Sequence, residues 1–226
     1  MTFSPIARTA VSDAVYRQLR NAILAGSLAA GSALPGERAL AEEFGVARHG
    51  LREAIRRLQQ ARLVEVSHGG ATRVLDWRVS AGLELLGELE LPDELILRSA
   101  LEMRLAIGVD AARLAATRAT AGAAAEIEGF VTGSVGVTDP VVLAERYEQF
   151  WRLIIVAGDN LAYQLSYNSL VLAMNRNPEV TRELSAPEAA DLATQRVLAA
   201  AIASGDVDGA ASAARRLTSV MLARLQ

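Results

Sequence analysis

The chain has 226 residues, a formal net charge of −3 and 51% hydrophobic residues. It contains no cysteine, which excludes disulfides and thiol chemistry. No apolar run reaches the ~18 residues needed to span a bilayer, and the amino terminus lacks an apolar core followed by a cleavage site. We therefore expect a cytoplasmic protein with no membrane partner.

Charge is distributed unevenly along the chain. Residues 1–77 contain ten arginines and seven acidic residues, a net charge of +3, whereas the remainder contains thirteen arginines and nineteen acidic residues, a net charge of −6. A basic first third on an acidic remainder suits a polyanion-binding module attached to a part that avoids nucleic acid.

The first predicted element is an amphipathic helix over residues 11–25. Val15, Leu19 and Ile23 share one face, and Gly26 is a plausible C-cap. We expect this helix to close the core beneath the next elements. Residues 28–33 are interpreted as a connecting segment before Pro35.

Residues 37–61 have the pattern of a helix, a tight turn and a second helix. The turn is Gly45-Val46-Ala47, and the second helix starts near Arg48. Its apolar residues form one stripe at helical spacing: Leu51, Ala54, Ile55 and Leu58. Arg48, His49 and Arg52 lie opposite this stripe, on the turns with which a recognition helix contacts the major groove.

A β-hairpin is predicted next, with strands at 63–66 and 72–75 around a glycine-containing turn at 67–71. Taken singly, arginines on a helix usually belong to a solvated surface. The turn spacing and the hairpin together favour a winged helix-turn-helix DNA-binding domain over residues 1–76.

Residues 77–81 are interpreted as a linker, and residues 82–226 show only helical periodicity. The predicted helices span 82–90, 93–119, 122–136, 140–158, 160–176, 187–204 and 206–225. The predicted fold is therefore mainly α, with an N-terminal winged helix-turn-helix and a C-terminal all-helical bundle of six to seven helices. Such a bundle is large enough to enclose a ligand cavity.

The stretch LPGERALAEEFGVARHGLREAIRRLQQARLVEVSHGGATRV resembles the amino-terminal domain of GntR-family transcription regulators. The LPGER start, the GV turn, the LREA helix and the HG wing carry the resemblance. It implies a homodimer on palindromic double-stranded operator DNA. It also implies these DNA-binding residues: Arg38, Arg48, His49, Gly50, Arg52, His68 and Gly69. The family often has Ser or Thr where Ala47, His49 and Gly50 stand, so base preference there can differ.

The helical half is similar to the ligand-sensing domain of the FadR subfamily, in VLDWRVSAGLELLGEL, LRSALEMRLAIGVDAARLAATRAT and AERYEQFWRLIIVAGDNLAYQLSYN. Most of that subfamily hold a metal with one Asp and three His. Here both histidines lie in the first third, and the resemblance places Tyr147, Trp151 and Gln195 at metal-ligand positions. We expect no metal and no other cofactor.

The junction VLDWRVSAGLELLGEL and the stretch AGDNLAYQLSYN resemble the metal-free branch of the subfamily. That branch contains the fatty-acid regulator FadR, which binds long-chain acyl-CoA. Aromatic side chains in place of metal ligands predict an apolar effector pocket. The segment RRLTSVMLARL lacks the Gly, Ser and Trp with which FadR holds acyl-CoA. The effector hypothesis is acyl-CoA or another lipid-like ligand. The alternatives are a small organic acid and a helical domain that only dimerises.

The candidate ligand-binding residues are Arg104, Tyr147, Trp151, Tyr163 and Tyr167. Alternatively, Arg104 pairs with Glu102 or Asp110 on the surface, and the aromatic residues only pack in the core. The sequence has no catalytic cysteine, no histidine beside a nucleophile and no lysine for a phosphate loop. We therefore expect a regulator and not an enzyme.

Overall fold

A computed structural model describes residues 9–67, 71–88 and 94–225. Backbone contacts divide the chain into two compact units, one ending at Leu85 and one beginning at Leu86. Each unit is described by itself. The predicted fold class is confirmed: a helical first unit with a β-hairpin precedes an all-helical second unit.

The first unit contains four helices and two strands in its described part: α1 Thr9–Leu24, α2 Glu37–Glu43, α3 Arg48–Gln60, β1 Val64–Val66, β2 Thr72–Val74 and α4 Trp77–Ser80. Helix α1 packs on α3, and α2 also packs on α3. The predicted stripe of α3 is buried, with Leu51, Ala54 and Leu58 at 0% exposure. The apolar face of α1, including Val15 and Leu19, is buried in the same unit.

The turn between α2 and α3 depends on Gly45, which has a φ of +64°. Side chains with a Cβ rarely adopt this left-handed conformation, whereas glycine does so readily. The next amide, Val46 N–H, donates to the Ala41 carbonyl at 3.0 Å and closes the end of α2. Gly45 thus sets the direction in which α3 begins.

Strands β1 and β2 pair antiparallel, with Val64 opposite Val74 and Glu65 opposite Arg73. Val64 and Val74 are buried, whereas Glu65 and Arg73 are exposed, so the hairpin covers the core with one face. Residues 31–33, in the predicted connection at 28–33, and the adjacent Leu34 pair with β2: Gly31 N–H donates to the Val74 carbonyl and Leu34 N–H donates to the Thr72 carbonyl, both at 2.8 Å. These hydrogen bonds add a short third segment beside β2 and so stabilise a hairpin whose two strands have only three residues each.

The predicted linker at 77–81 contains α4, which Asp76 caps by accepting from Arg78 N–H. Ser80 Oγ donates to the Arg62 carbonyl at 2.9 Å, so this segment is attached to the first unit. A 3₁₀ helix follows at Leu83–Glu88, within the segment predicted as a helix over 82–90.

In the described part of the second unit there are seven α-helices: α5 Glu94–Arg118, α6 Ala121–Thr132, α7 Pro140–Ala157, α8 Leu161–Met174, α9 Pro178–Ala190, α10 Leu192–Ser204 and α11 Val207–Ala223. Helix α5 contacts α7, α8, α10 and α11. Buried alanines on α5 and α11, such as Ala112 and Ala214, allow the two helices to approach closely. None of the described helices has the length and apolarity to cross a membrane.

The break predicted between residues 177 and 187 is wrong. Helix α9 runs from Pro178 to Ala190 through Pro187, and α10 begins at Leu192 instead of residue 187. Pro187 lacks the amide proton that Glu183 O would accept, but Arg224 Nη1 donates to that carbonyl at 3.2 Å. Contacts from α10 and from the end of α11 thus complete a helix that contains a proline. Gln195 Nε2 supplies the α10 contact by donating to the carbonyls of Glu188 and Ala189 at 3.1 and 3.0 Å.

Asp191 ends α9 and caps α10, because its carboxylate accepts from Thr194 N–H at 2.9 Å and from Thr194 Oγ1 at 2.5 Å. We predict that Asp191→Ala lowers the free energy of unfolding by about 1 kcal/mol, the usual effect of losing an N-cap. Urea denaturation measures the change. Asp208→Ala, at an exposed position in the first turn of α11, is the matched control and should change stability by less than ~0.5 kcal/mol.

This contribution should depend on pH. Burial opposes ionisation of Asp191, but the hydrogen bonds of Thr194 and the charge of Arg216 hold the pKa of its carboxyl below the usual value. The added stability is therefore present above the ordinary carboxyl pKa of about 3.9 and is lost as the pH falls through the lower folded value. A wild-type to Asp191→Ala difference of equal size at pH 7 and at acidic pH would contradict this assignment.

Candidate functional site

The exposed face of α3 carries a row of basic side chains. Arg48, Arg52 and Arg56 are spaced four residues apart and are all exposed, as is His49. The opposite face is the buried stripe that packs on α1, so the core fixes which side of α3 faces outward. The arrangement presents several guanidinium groups along one helix.

Two of the arginines predicted to contact DNA, Arg52 and Arg38, form exposed ion pairs. Arg52 Nε donates to Glu37 Oε2 at 2.7 Å, with side-chain exposures of 65% and 40%. Arg38 Nε lies 3.8 Å from Glu42 Oε1 on the surface of α2. Exposed pairs of this kind contribute little to stability and are screened by salt. Both guanidinium groups can therefore exchange a carboxylate for a phosphate or a base edge.

Gly50 has a different environment from its neighbours on α3. A Cβ at this position would lie 3.8 Å from Val11 Cγ1, so Gly50 faces α1. His68 and Gly69, the predicted wing residues, lie outside the described residues. The structure thus brings Arg48, His49 and Arg52 onto one exposed face and places Gly50 at its edge.

Arg57 belongs to the same helix but is held by α1. Its guanidinium carbon lies 4.1 Å from the centre of the Tyr16 ring, and Nη1 pairs with Asp13 Oδ1. Cation–π stacking and an ion pair on one side chain fix α3 against α1. Arg57 therefore fixes the orientation of α3, and with it the exposed face that carries Arg48 and Arg52.

The second unit contains a partly open cavity of about 260 Å³. Its lining comes from α5, α7, α8, α9 and α11 and includes Arg104, Val141, Ala144, Glu145, Tyr147, Glu148, Trp151, Tyr167, Leu170, Val171, Met174, Asn175, Pro178, Thr181, Arg182, Ser185 and Met221. Four of the five candidate ligand residues are in this set. The fifth, Tyr163, is not: its hydroxyl donates to Asp110 Oδ2 at 2.9 Å, between α8 and α5.

A buried charged network forms part of the cavity wall. Arg104 Nη2 donates to Glu188 Oε2 at 2.6 Å, and Arg104 Nη1 lies 3.5 Å from Glu188 Oε1. Tyr147 Oη also donates to Glu188 Oε2, at 2.9 Å, and Met221 N–H donates to Oε1 at 2.9 Å. The Glu188 carboxylate therefore accepts hydrogen bonds from α5, α7 and α11. Its side chain is 0% exposed and that of Arg104 is 8% exposed.

The environment determines the protonation of this network. Burial by itself lowers the pKa of Arg104, but the neighbouring Tyr147 and Glu188 raise it above the ordinary value, so the guanidinium is charged. Burial raises the pKa of Tyr147 well above its usual range, against the opposing charge of Arg104. Burial likewise raises the pKa of Tyr167. Both phenols are neutral at physiological pH and act as hydrogen-bonding groups.

The alternative that Arg104 pairs on the surface with Glu102 or Asp110 is wrong. Arg104 is buried and its partner is Glu188, on the helix that the sequence reading interrupted. Glu188 is thus the main residue that sequence reasoning missed. The available signal was the helical spacing of Thr181, Ser185 and Glu188, which place one side of α9 against the interior.

The residues at the expected metal-ligand positions do not fit a divalent cation. The Tyr147 hydroxyl is engaged with Glu188, the indole of Trp151 is only a donor, and the Gln195 amide donates to two carbonyls. Within residues 9–67, 71–88 and 94–225, no group of three or more His, Asp or Glu side chains could hold a metal ion.

The first unit is a winged helix-turn-helix with an exposed arginine-rich helix, and the second is a helical unit that contains a cavity. This combination defines a class of DNA-binding transcription regulators. Residues 11–74 match the family model described as bacterial regulatory proteins, gntR family. Residues 99–219 match the model of the FCD domain. The chain belongs to the gntR family of bacterial regulatory proteins and carries an FCD domain.

The relatives are transcription regulators and not enzymes. The HTH-type transcriptional regulator Mce2R of Mycobacterium tuberculosis is 35% identical over 96% of this chain and 92% of its own length. A putative L-lactate dehydrogenase operon regulatory protein of Escherichia coli is 29% identical over 90% of this chain and 81% of its own. A solved structure described as Lar, which controls the agr system of Listeria monocytogenes, has a TM-score of 0.58 at 17% identity. It covers 100% of this chain and 98% of the other, and it supports the fold alone.

We predict that Glu188→Gln lowers the free energy of unfolding by about 3 kcal/mol, because the charge of Arg104 is left buried without its counter-ion. The double variant Arg104→Met/Glu188→Leu should recover at least half of that loss, since it buries no charge. Chemical denaturation of the three proteins measures both changes. Glu183→Gln, an exposed position on α9, is the control. If Glu188→Gln and the control lowered the free energy of unfolding equally, Glu188 would not be the counter-ion that compensates the buried charge of Arg104.

Proposed function

We propose that the protein is a homodimeric regulator of the FadR subfamily that binds a palindromic operator and responds to a small molecule in the cavity of its second unit. The observation that carries the proposal is a largely apolar cavity, partly open to solvent, in a unit that follows a winged helix-turn-helix on the same chain. A regulator that binds chromosomal operators in a bacterium acts in the cytoplasm.

DNA recognition is assigned to the exposed face of α3. Arg48 and Arg52 are the candidates for base contacts, because a guanidinium can donate two hydrogen bonds to guanine. Arg38 is assigned to a phosphate, and His68 with Gly69 to the minor groove. One α3 reaches only a half-site, so two copies related by a two-fold axis should read half-sites about one helical turn apart.

The effector is assigned to acyl-CoA or a related lipid-like molecule. Apolar residues from three helices, such as Val141 of α7, Leu170 of α8 and Met221 of α11, contribute to the cavity wall. Apolar surface with a few polar groups is typical of sites for hydrophobic ligands. Arg104, Tyr147, Trp151 and Tyr167 are proposed to contact the ligand or to shape its site.

A small organic acid is the second candidate effector. The charged Arg104 in the cavity wall favours it. So does the 29% identical relative from Escherichia coli, a putative L-lactate dehydrogenase operon regulatory protein. The close pairing of Arg104 with Glu188 argues against it, because the positive charge already has a counter-ion. A third possibility, a helical unit that only dimerises, predicts no effect of any ligand on operator affinity.

We predict that Arg52→Ala weakens operator binding by about 5- to 150-fold, the equivalent of the 1–3 kcal/mol that one bidentate base contact contributes. The operator is first selected from random duplexes with the wild-type protein, and affinities are then measured by gel shift. Arg196→Ala, an exposed arginine on α10, is the control and should bind as the wild type does. Wild-type affinity in the Arg52→Ala protein would refute the assignment of this side chain.

The effector proposal predicts reciprocal binding. Octanoyl-CoA should change operator affinity, and the selected operator should change octanoyl-CoA affinity by the same factor. Met174→Trp, which fills the cavity from α8, should abolish the response while preserving DNA binding. Leu165→Trp, at an exposed position of α8, should leave the response intact. A response to L-lactate alone would favour the organic-acid alternative, and no response to either would favour a domain that only dimerises.

A further inference from the structure

We propose that the part of the effector buried in the cavity is uncharged and small, and that its carbonyl oxygen accepts a hydrogen bond from the indole of Trp151. The ligand class is a neutral acyl derivative, such as a thioester, ester or amide, and excludes free carboxylic acids. This inference rests on the proposed function and specifies the chemistry of the same cavity.

Trp151 supplies a buried donor without a protein acceptor. The residue is 2% exposed and lines the cavity. In the part of the chain that the structure describes, its Nε1 makes no hydrogen bond of good geometry, although it lies close enough to the Tyr147 hydroxyl to lower the pKa of that phenol slightly against the effect of burial. A buried N–H without an acceptor costs roughly 1–3 kcal/mol, so a ligand that provides an acceptor gains this energy on binding.

The packing of the indole leaves its nitrogen edge turned away from α5. A Cβ at Gly108 would lie 3.3 and 3.4 Å from Cζ3 and Cη2 of Trp151, so the six-membered ring rests on that glycine. Tyr147 and Phe150 pack edge-on against the same indole, with ring centres 6.3 and 6.0 Å away. These contacts hold the ring in one orientation, which gives the free N–H a fixed direction.

The charges around the cavity disfavour an anionic ligand. Arg104 is already paired with Glu188, so a ligand carboxylate must displace a buried carboxylate that accepts from three protein groups. The other charged lining residues are Glu145, Glu148 and Arg182. Glu148 is also bound to Arg152 at 2.8 Å. The lining therefore contains two carboxylates and two guanidinium groups. Since Arg104 already has the buried Glu188 carboxylate as its counter-ion, no positive charge is left over in the wall to attract an anion.

The volume limits the size of the buried group. A cavity of about 260 Å³ is slightly smaller than the roughly 300–1,000 Å³ of typical ligand pockets. A medium-length acyl group with its carbonyl matches this space, whereas a long chain would extend beyond it. In an acyl-CoA, the charged carrier would remain outside.

Three probes of similar size test the proposal: octanamide, octanoate and decane. They are titrated at pH 7 into the full-length Trp77→Phe protein, in which Trp151 is the only remaining tryptophan of the two in the sequence. Indole fluorescence and calorimetry give the affinities. Octanamide should bind at least tenfold more tightly than octanoate, and more tightly than decane, because only octanamide combines neutrality with a strong acceptor.

The Trp77→Phe/Trp151→Phe variant removes the indole N–H and retains an aromatic ring. By calorimetry it should lose the preference for octanamide over decane, while the Trp77→Phe protein retains it. Circular dichroism establishes that the variant is folded. If the variant does not fold, the ratio of the octanamide affinity to the octanoate affinity, measured on the Trp77→Phe protein, still decides the proposal.

Equal or tighter binding of octanoate would overturn the inference, and so would failure of all three probes to bind. Neither outcome would contradict the proposal that the protein is a regulator. That proposal is tested separately by operator selection and by the response of operator affinity to octanoyl-CoA or L-lactate. Binding of octanoate together with an operator response would retain the regulator and assign it an acidic effector.

Discussion

The ion pair between Arg104 and Glu188 is the interaction on which the second unit depends. It joins α5 to α9, and the hydrogen bonds from Tyr147 and from Met221 N–H add α7 and α11 to the same point. A buried pair is weak evidence for net stability, because desolvation offsets the attraction. Its effect is to fix an arrangement, since a carboxylate with three different donors has few other positions. The helices that it joins are also walls of the cavity.

Arginine has two different roles in this protein, and the environment decides between them. Arg104 is buried, fully paired and locked, so it defines the shape and electrostatic character of a cavity. Arg52 is exposed, and its direct hydrogen bond to Glu37 is open to solvent, so it can exchange partners. Arg57 is intermediate, stacked on Tyr16 to orient the helix that presents Arg52. The residue type alone does not distinguish these roles.

Periodicity predicted most of the elements but not the charged network. The stripe on α3 and the alternating strands of the hairpin are local patterns, and the structure confirms them. The sequence did not predict helix α9, because a proline such as Pro187 normally ends a helix. Here the distant side chains of Arg224 and Gln195 donate to α9 carbonyls that lack a helical amide donor. The partner of Arg104 lies 84 positions away in sequence, on that missed helix. Contacts between residues so far apart in the sequence cannot be predicted from the spacing of residues within one helix.

The central claim is that the second unit of this regulator receives a small molecule. Native mass spectrometry of the purified full-length protein, under conditions that retain bound ligands, tests it most directly. The account predicts the mass of two chains plus a bound molecule, either copurified or acquired after addition of octanoyl-CoA. A bare protein whose mass is unchanged by acyl-CoAs, neutral acyl probes and small organic acids would contradict it.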